Sequence, residues 1–85
     1  MDFKIISLEL EKKGYSTQYH TSINSLAIWI DENGKHKDSS YSRVEQIEDK
    51  MFFVYFIGQM PIEKEFKTIE ELMLFIQEVF PIENK

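Results

Sequence analysis

The chain has 85 residues, no cysteine, and a net charge of −5 from 15 acidic and 10 basic residues. This length supports one domain, and the missing cysteines exclude disulfides and thiolate metal sites. The acidic balance disfavours direct nucleic-acid binding, which needs a basic surface. No basic N-terminal region precedes a long apolar segment, and the longest apolar run is seven residues, against the ~20 that a membrane helix needs. We therefore expect a cytoplasmic protein with no membrane contact.

The first predicted element is a helix over residues 3–13. Asp2 precedes it as an N-cap, and Gly14 follows it as a residue that readily takes the left-handed conformation at helix ends. Apolar residues recur along this segment at spacings of three and four, as on the buried face of a helix. This apolar stripe comprises Phe3, Ile5, Ile6, Leu8 and Leu10.

Two alternating segments, residues 15–23 and 26–30, predict a β-hairpin closed by a two-residue turn at 24–25. This register places Tyr19 opposite Ile30. It also keeps the apolar side chains of both strands on one face, so turn geometry and apolar pattern agree.

The next segment, residues 35–50, has two interpretations. Asn33-Gly34 is a strong turn signal, because both residues readily take positive φ, and it would lead into a strand over 36–46. The side chains of this strand are largely polar, so it would lie at an edge of the sheet or carry a bulge. The alternative is a short helix over 42–49 that begins with a capping box.

The run Met51–Ile57 predicts a strand that is apolar on both faces, because side chains alternate across a strand. Gly58-Gln59 then forms a two-residue turn with glycine at positive φ, which places Tyr55 opposite Ile62. Pro61 marks the second strand of this hairpin as an edge strand, because proline has no N–H to donate.

The last predicted element is a helix from Ile69 to about Phe80. Thr68 and Glu71 form a capping box at its start, and Pro81 ends it. Its apolar stripe comprises Ile69, Leu72, Met73, Ile76, Val79 and Phe80.

These elements predict an α+β fold, a two-layer sandwich in which an antiparallel sheet of four to five strands carries the N- and C-terminal helices on one face. The element order is α-β-β-(β)-β-β-α, with residues 1–80 as a single domain and residues 81–85 as a C-terminal tail. The predicted core comprises Ile6, Leu10, Tyr19, Leu26, Ile28, Ile30, Phe53, Tyr55, Ile57, Ile62, Phe66, Leu72, Met73 and Ile76.

The opposite face of the sheet, which carries no helix, is the predicted interaction site. Its expected residues are Trp29, Phe52, Val54, Phe56 and His20. Apolar patches with aromatic residues are typical of protein interfaces, so this face predicts a homodimer or a protein partner. The alternative is that residues 35–50, or the tail containing Ile82, fold across the face and bury it. The expected function is that of a small, non-enzymatic protein-interaction module.

The acidic residues support an alternative function. Those that could form a negative surface comparable with a DNA backbone are Glu45, Glu48, Asp49, Glu63 and Glu65. In size, charge and element order the chain resembles small acidic proteins of mobile elements that block nucleic-acid-binding enzymes. The resemblance implies an acidic inhibitor that mimics DNA, although a net charge of this size is also usual for a small soluble domain. A small-ligand binder with a pocket between sheet and helices is a third alternative.

Nothing in the sequence predicts an enzyme, a metal site or a cofactor. The segment Asp31–Asp38 resembles a calcium-binding loop only in composition, since it lacks the required ligand spacing. His20 and His36 belong to no recognisable set of nucleophile, base and orienting group. The glycines are isolated turn residues, so the sequence contains no phosphate-binding loop.

Overall fold

The computed structural model describes residues 3–32 and 34–82, without the side chains of residues 32 and 36–39. The elements in chain order are helix α1 (Phe3–Lys12), strands β1 (Ser16–His20), β2 (Ser25–Glu32), β3 (Lys35–Ile47), β4 (Lys50–Ile57) and β5 (Met60–Phe66), and helix α2 (Ile69–Val79). The strands form one antiparallel sheet in the order β1-β2-β3-β4-β5. The predicted α+β architecture is therefore confirmed, with five strands.

Both helices end or begin as their sequences predict. After α1 the chain turns at Gly14, whose φ is +102°. The amide of Gly14 donates to the carbonyl of Glu11 at 3.1 Å, and that of Tyr15 to the carbonyl of Leu10 at 3.1 Å, which is the Schellman pattern of helix ends. At α2 the hydroxyl of Thr68 accepts from the backbone N–H of Glu71. The predicted N-cap of α1, Asp2, lies outside the described residues.

The core lies between the sheet and the two helices, which pack on the same sheet face. It comprises Phe3, Ile6, Leu10, Tyr15, Leu26, Ile28, Val44, Met51, Phe53, Leu72, Met73 and Ile76. Three of the other predicted core residues, Ile30, Tyr55 and Phe66, are partly buried against this cluster. Helix α1 therefore buries only Phe3, Ile6 and Leu10 of its predicted apolar stripe, and α2 buries Leu72, Met73 and Ile76.

Some predicted buried positions are wrong. Tyr19 is 44% exposed and Ile57 is 64% exposed, and Ile62 is half-buried outside the core cluster. Ile57 is the last residue of β4, beside the turn into β5. In α1, Ile5 and Leu8 are 49% and 51% exposed. A helix advances about 100° per residue, so these two side chains lie on the side of α1 opposite Phe3 and Leu10.

The register between β1 and β2 also differs from the prediction. Tyr19 pairs with Leu26 rather than with Ile30, because the connection is longer than two residues. Residues 21–23 form one 3-10 turn, and Asn24 follows in the left-handed conformation with φ 50° and ψ 51°. The shift is an even number of residues, so the same side chains still point toward the helices.

Strand β3 lies in the middle of the sheet, between β2 and β4. The predicted edge position and the alternative helix over 42–49 are therefore wrong, whereas the predicted bulge is present. Ile28 pairs with Ser42 and Ile30 with Lys37, so the register shifts between these pairs. At this irregularity the backbone N–H of Ile30 donates to the hydroxyl of Ser40 at 2.8 Å. The bulge leaves residues 38–41 outside the strand pairing, whereas residues 42–45 pair with both β2 and β4.

The hairpin of β4 and β5 has the predicted register, with Tyr55 opposite Ile62, and Gly58 has a φ of +63°. As predicted from Pro61, β5 lies at the edge of the sheet. On the helix side of β5, the ammonium group of Lys64 lies 4.7 Å from the centre of the Phe75 ring. Strand β5 thus directs Lys64 toward α2 and its neighbouring side chains toward the opposite face.

Candidate functional site

The sheet face without helices, here called the open face, is built from cross-strand rows. One row runs Gln18–Ala27–Arg43–Val54–Glu63. The next row runs His20–Ser25–Glu45–Phe52–Glu65. A third row contains the pairs Ser16–Trp29 and Phe56–Pro61. These rows place all the predicted interface residues on one surface, as the alternation of the strands predicts.

The predicted interface residues differ in how accessible they are. Val54 is only 3% exposed, although no helix lies above it. The three aromatic residues Trp29, Phe52 and Phe56 are half-buried, whereas His20 at the edge strand is exposed. At the centre of the open face Val54 is therefore buried, and the aromatic rings around it are partly exposed.

Arg43 lies in the middle of this face, between Ala27 and Val54. Its Nε donates to Oε2 of Glu45 at 2.6 Å, and both side chains are about one-third or less exposed. The methylene groups of an arginine can cover apolar neighbours while its charged end stays accessible. The sequence did not identify Arg43, because the register of residues 35–50 could not be fixed in advance.

Trp29 is held in place by a hydrogen-bonded carboxylate. The indole Nε1 donates to Oδ1 of Asp31 at 3.2 Å, and the hydroxyl of Ser16 donates to Oδ2 of the same carboxylate at 2.7 Å. An aromatic ring that is already oriented loses less conformational freedom when another molecule packs on it. Trp29 is thus a preorganised aromatic group at one end of the open face.

The residues of the acidic alternative lie on the same face or at its end. Glu45, Glu63 and Glu65 belong to the rows described above, and Glu48 and Asp49 form the turn between β3 and β4. Basic groups of this face are Arg43 and, at the turn, Lys50. The two sets of predicted site residues, aromatic and acidic, are therefore parts of a single surface.

Within residues 3–32 and 34–82, no element lies across the open face. Residues 35–47 are a strand of the sheet itself, so they cannot cover it. Ile82 packs on the helix side, against the core, where its Cδ1 lies 3.2 Å from the position of a Cβ on Gly14. Neither residues 35–47 nor Ile82 therefore covers the open face.

Other apolar side chains are more exposed than those of the open face. They are Ile23, Ile47, Ile57, Met60 and Leu74, between 53% and 68% exposed. Single exposed apolar residues are normal on protein surfaces. Of these, Ile57 and Met60 form a cross-strand pair at the tip of the β4–β5 hairpin, beside Phe56 and Pro61. This pair shares the strand face of Tyr55 and Ile62, so it lies on the helix side of the hairpin tip and not on the open face.

The described residues offer no group of three or more side chains that could hold a metal ion. A cleft of about 510 Å³ opens between the ends of the two helices, lined by Lys12, Lys13, Gly14, Tyr15, Gln77, Pro81 and Ile82. The hydroxyl of Tyr15 is already bonded there to the carbonyl of Phe80, and Lys12 pairs with Glu9 at 3.1 Å. These polar groups of the cleft therefore bond to other groups of the protein and do not converge on one point where a ligand could bind.

No helix in the described part of the chain is both long and apolar enough to cross a membrane. We therefore infer function from the fold and the open face. No protein-family model, curated protein or solved structure matches this chain.

Proposed function

We propose that this protein is a small non-enzymatic interaction module that binds another protein through the open face. The observation that supports this proposal is the part-exposure of Trp29, Phe52 and Phe56 around the buried Val54. These three large rings lie on one face with no described element above them. Covering them with another molecule would bury apolar surface, which is favourable in free energy.

The composition of the face is that of an interface rather than of an ordinary wet sheet. Aromatic residues and arginine are enriched at the centres of protein interfaces, and they supply much of the binding free energy. Here Arg43 lies among the apolar side chains of the face, and the carboxylates of Glu63 and Glu65 lie along its β5 edge. In such an interface the polar border keeps water away from the central apolar contacts, which supply most of the binding free energy.

The partner is either a second copy of this chain or a different protein. A domain of 85 residues buries a modest fraction of its unfolded surface, so association would also stabilise it. In both cases Phe52 and Phe56 would be covered by the partner, which is the basis of the test.

The test is the double substitution Phe52→Ser and Phe56→Ser. Association would be measured as molar mass by light scattering over a range of concentrations, and as binding to proteins of the source cell. We expect the double variant to lose either kind of association while far-UV circular dichroism shows the fold retained. The matched control is Ile5→Ser with Leu8→Ser, two exposed apolar residues of α1, which should change nothing. Association that survives in the first variant, or is lost in the control, would contradict the proposal.

A second candidate function is that of an acidic inhibitor of a nucleic-acid-binding enzyme. The observation that favours it is the position of Glu45, Glu63 and Glu65, which lie together on the open face. Such an inhibitor would occupy the basic nucleic-acid site of its target. Its binding would weaken as salt increases, because charges are screened over ~8 Å at physiological ionic strength.

The two candidates differ in what removes binding. The interaction module depends on Phe52 and Phe56, whereas the inhibitor depends mainly on the carboxylates. The variant with Phe52→Ser and Phe56→Ser should lose its affinity in the first case and retain most of it in the second. Absence of any salt-sensitive binding to basic nucleic-acid enzymes would end the second candidate.

A further inference from the structure

We propose that the half of the open face formed by β4 and β5 binds arginine side chains of a different protein. This proposal rests on the interaction function proposed above and specifies the chemistry of the partner. The residues concerned are Phe52, Val54, Glu63 and Glu65, which form two cross-strand pairs, Phe52 with Glu65 and Val54 with Glu63.

The carboxylates of Glu63 and Glu65 are not neutralised within the described residues. Both side chains are exposed, and neither takes part in a salt bridge there. The intervening residue, Lys64, points to the other side of the sheet and lies over Phe75. Glu63 and Glu65 therefore present two carboxylates on one face, about 7 Å apart along the strand.

An aromatic ring lies beside this pair of carboxylates. Phe52 is directly opposite Glu65 and is half-buried, so its ring is part-accessible. A guanidinium group donates hydrogen bonds to carboxylates in its plane and stacks on aromatic rings with its face. A carboxylate pair next to an accessible ring offers both contacts at once. A lysine ammonium group lacks the planar shape for this combination.

The open face already pairs one guanidinium with a carboxylate. Arg43 lies beside Val54 in the same row, and its Nε donates to Glu45 at 2.6 Å. This contact shows that the backbone spacing of the face suits an arginine that pairs with a carboxylate on the same surface. Glu63 and Glu65 lie two strands away and place two carboxylates at the same i and i+2 spacing, without an arginine of their own.

The arginine must come from a different protein rather than from a second copy. The chain contains a single arginine, Arg43, and it is already bonded to Glu45. A second copy placed face to face would also bring Glu63 and Glu65 near the acidic residues of the first. Charge complementarity therefore favours a partner whose exposed segment carries arginine.

The test uses three blocked octapeptides in which serine alternates with arginine, lysine or glutamate. Binding would be followed by backbone amide shifts of the full chain in two-dimensional NMR. We expect the arginine peptide to shift the amides of Phe52, Val54, Glu63 and Glu65, the lysine peptide to bind less tightly, and the glutamate peptide not to bind. Increasing salt should weaken binding of the arginine peptide.

Matched variants assign the effect to the named groups. Changing Glu63 and Glu65 to Gln removes two surface ion pairs, which should reduce affinity by about twofold to 30-fold. Changing Glu70 and Glu78 to Gln makes the same charge change on the outer side of α2 and should leave affinity unaltered. Phe52→Leu keeps an apolar side chain there and should reduce the preference for arginine over lysine.

Each result decides between the proposals. Equal binding of the arginine and lysine peptides, or shifts confined to α2, would overturn the arginine site. Self-association or partner binding that depends on Phe52 and Phe56 but not on Glu63 and Glu65 would overturn it too, while leaving the proposed function intact. If neither a peptide nor a protein contacts the open face, both proposals fail together.

Discussion

Two serines of β3 provide the sharpest test of the packing described here, because they predict opposite effects of the same substitution. Ser42 is 0% exposed, and its hydroxyl has no hydrogen-bond partner in the described structure. It lies between Ile28 and Tyr55 on the neighbouring strands. Ser40 is 2% exposed, but its hydroxyl accepts the backbone N–H of Ile30 at 2.8 Å.

The expected magnitudes follow from the cost of burying polar groups. An unpaired buried hydroxyl costs about 1–3 kcal/mol, part of which is offset by the small void that alanine leaves. Ser42→Ala should therefore raise the free energy of unfolding by about 1 kcal/mol, which corresponds to about 4–8 °C in Tm for a domain of this size. Ser40→Ala should lower it by about 1–3 kcal/mol, because the amide of Ile30 loses its acceptor inside the protein.

The assay is thermal and urea unfolding followed by circular dichroism, on both variants and the wild-type protein. Both substitutions remove the same oxygen from the same strand, so each serves as a control for the other. A gain of stability in both variants would refute the hydrogen bond assigned to Ser40, and a loss in both would refute the unpaired hydroxyl of Ser42.

Three further substitutions test the end of α1, the turn between β4 and β5, and the contact of Tyr15 with Phe80. Gly14→Ala should destabilise the protein by more than ~1 kcal/mol, since φ is +102° and the new Cβ would lie 3.2 Å from Ile82. Gly58→Ala should cost less, because its Cβ would meet no atom within 4 Å; equal losses in urea unfolding would contradict the contact with Ile82. Burial raises the pKa of Tyr15 above its ordinary value of 10.0, so the unfolded chain ionises first and the stability contributed by this group declines as pH rises above 10. Tyr15→Phe should therefore be less stable than wild type at neutral pH, where it lacks the bond to the Phe80 carbonyl, and this deficit should shrink in alkaline unfolding experiments rather than stay constant.

The strands, turn and register of the β4–β5 hairpin could be predicted from the sequence, although Ile57 is exposed rather than buried. Its turn has glycine at the position that takes positive φ, with Gly58 at +63°, and the apolar run before it leaves no doubt about the strand. Pro61 also predicts that β5 lies at the edge of the sheet, because proline has no N–H to donate to a further strand. In this hairpin, turn chemistry and side-chain alternation predict the register that the structure has.

The first hairpin shows how similar signals can mislead. Asn24 does take a left-handed conformation, as expected of asparagine in a turn. It does so after a 3-10 turn, however, so it closes a longer loop and Tyr19 pairs with Leu26. The sequence contains no feature that distinguishes the two closures, because both put the same apolar side chains toward the helices.

The sequence predicts a strand over residues 36–46 but not its central position in the sheet, because part of its buried side is polar. Ser40 and Ser42 are buried there, and serine gives no apolar signal of a central strand. A bulge also breaks the alternation on which strand prediction depends. The same ambiguity hid Arg43, so the aromatic and acidic parts of the open face were foreseen separately and their centre was not.

The central claim is that the open face is where this protein contacts other proteins, and site-specific photo-crosslinking tests it most directly. A photoreactive phenylalanine at position 52 lies on the open face, and the same group at position 74 replaces a leucine that is 68% exposed on α2. We predict crosslinked adducts, with a second copy or another protein, from position 52 and none from position 74. Adducts from position 74 alone, or none from position 52 in cells that contain the protein, would contradict the account.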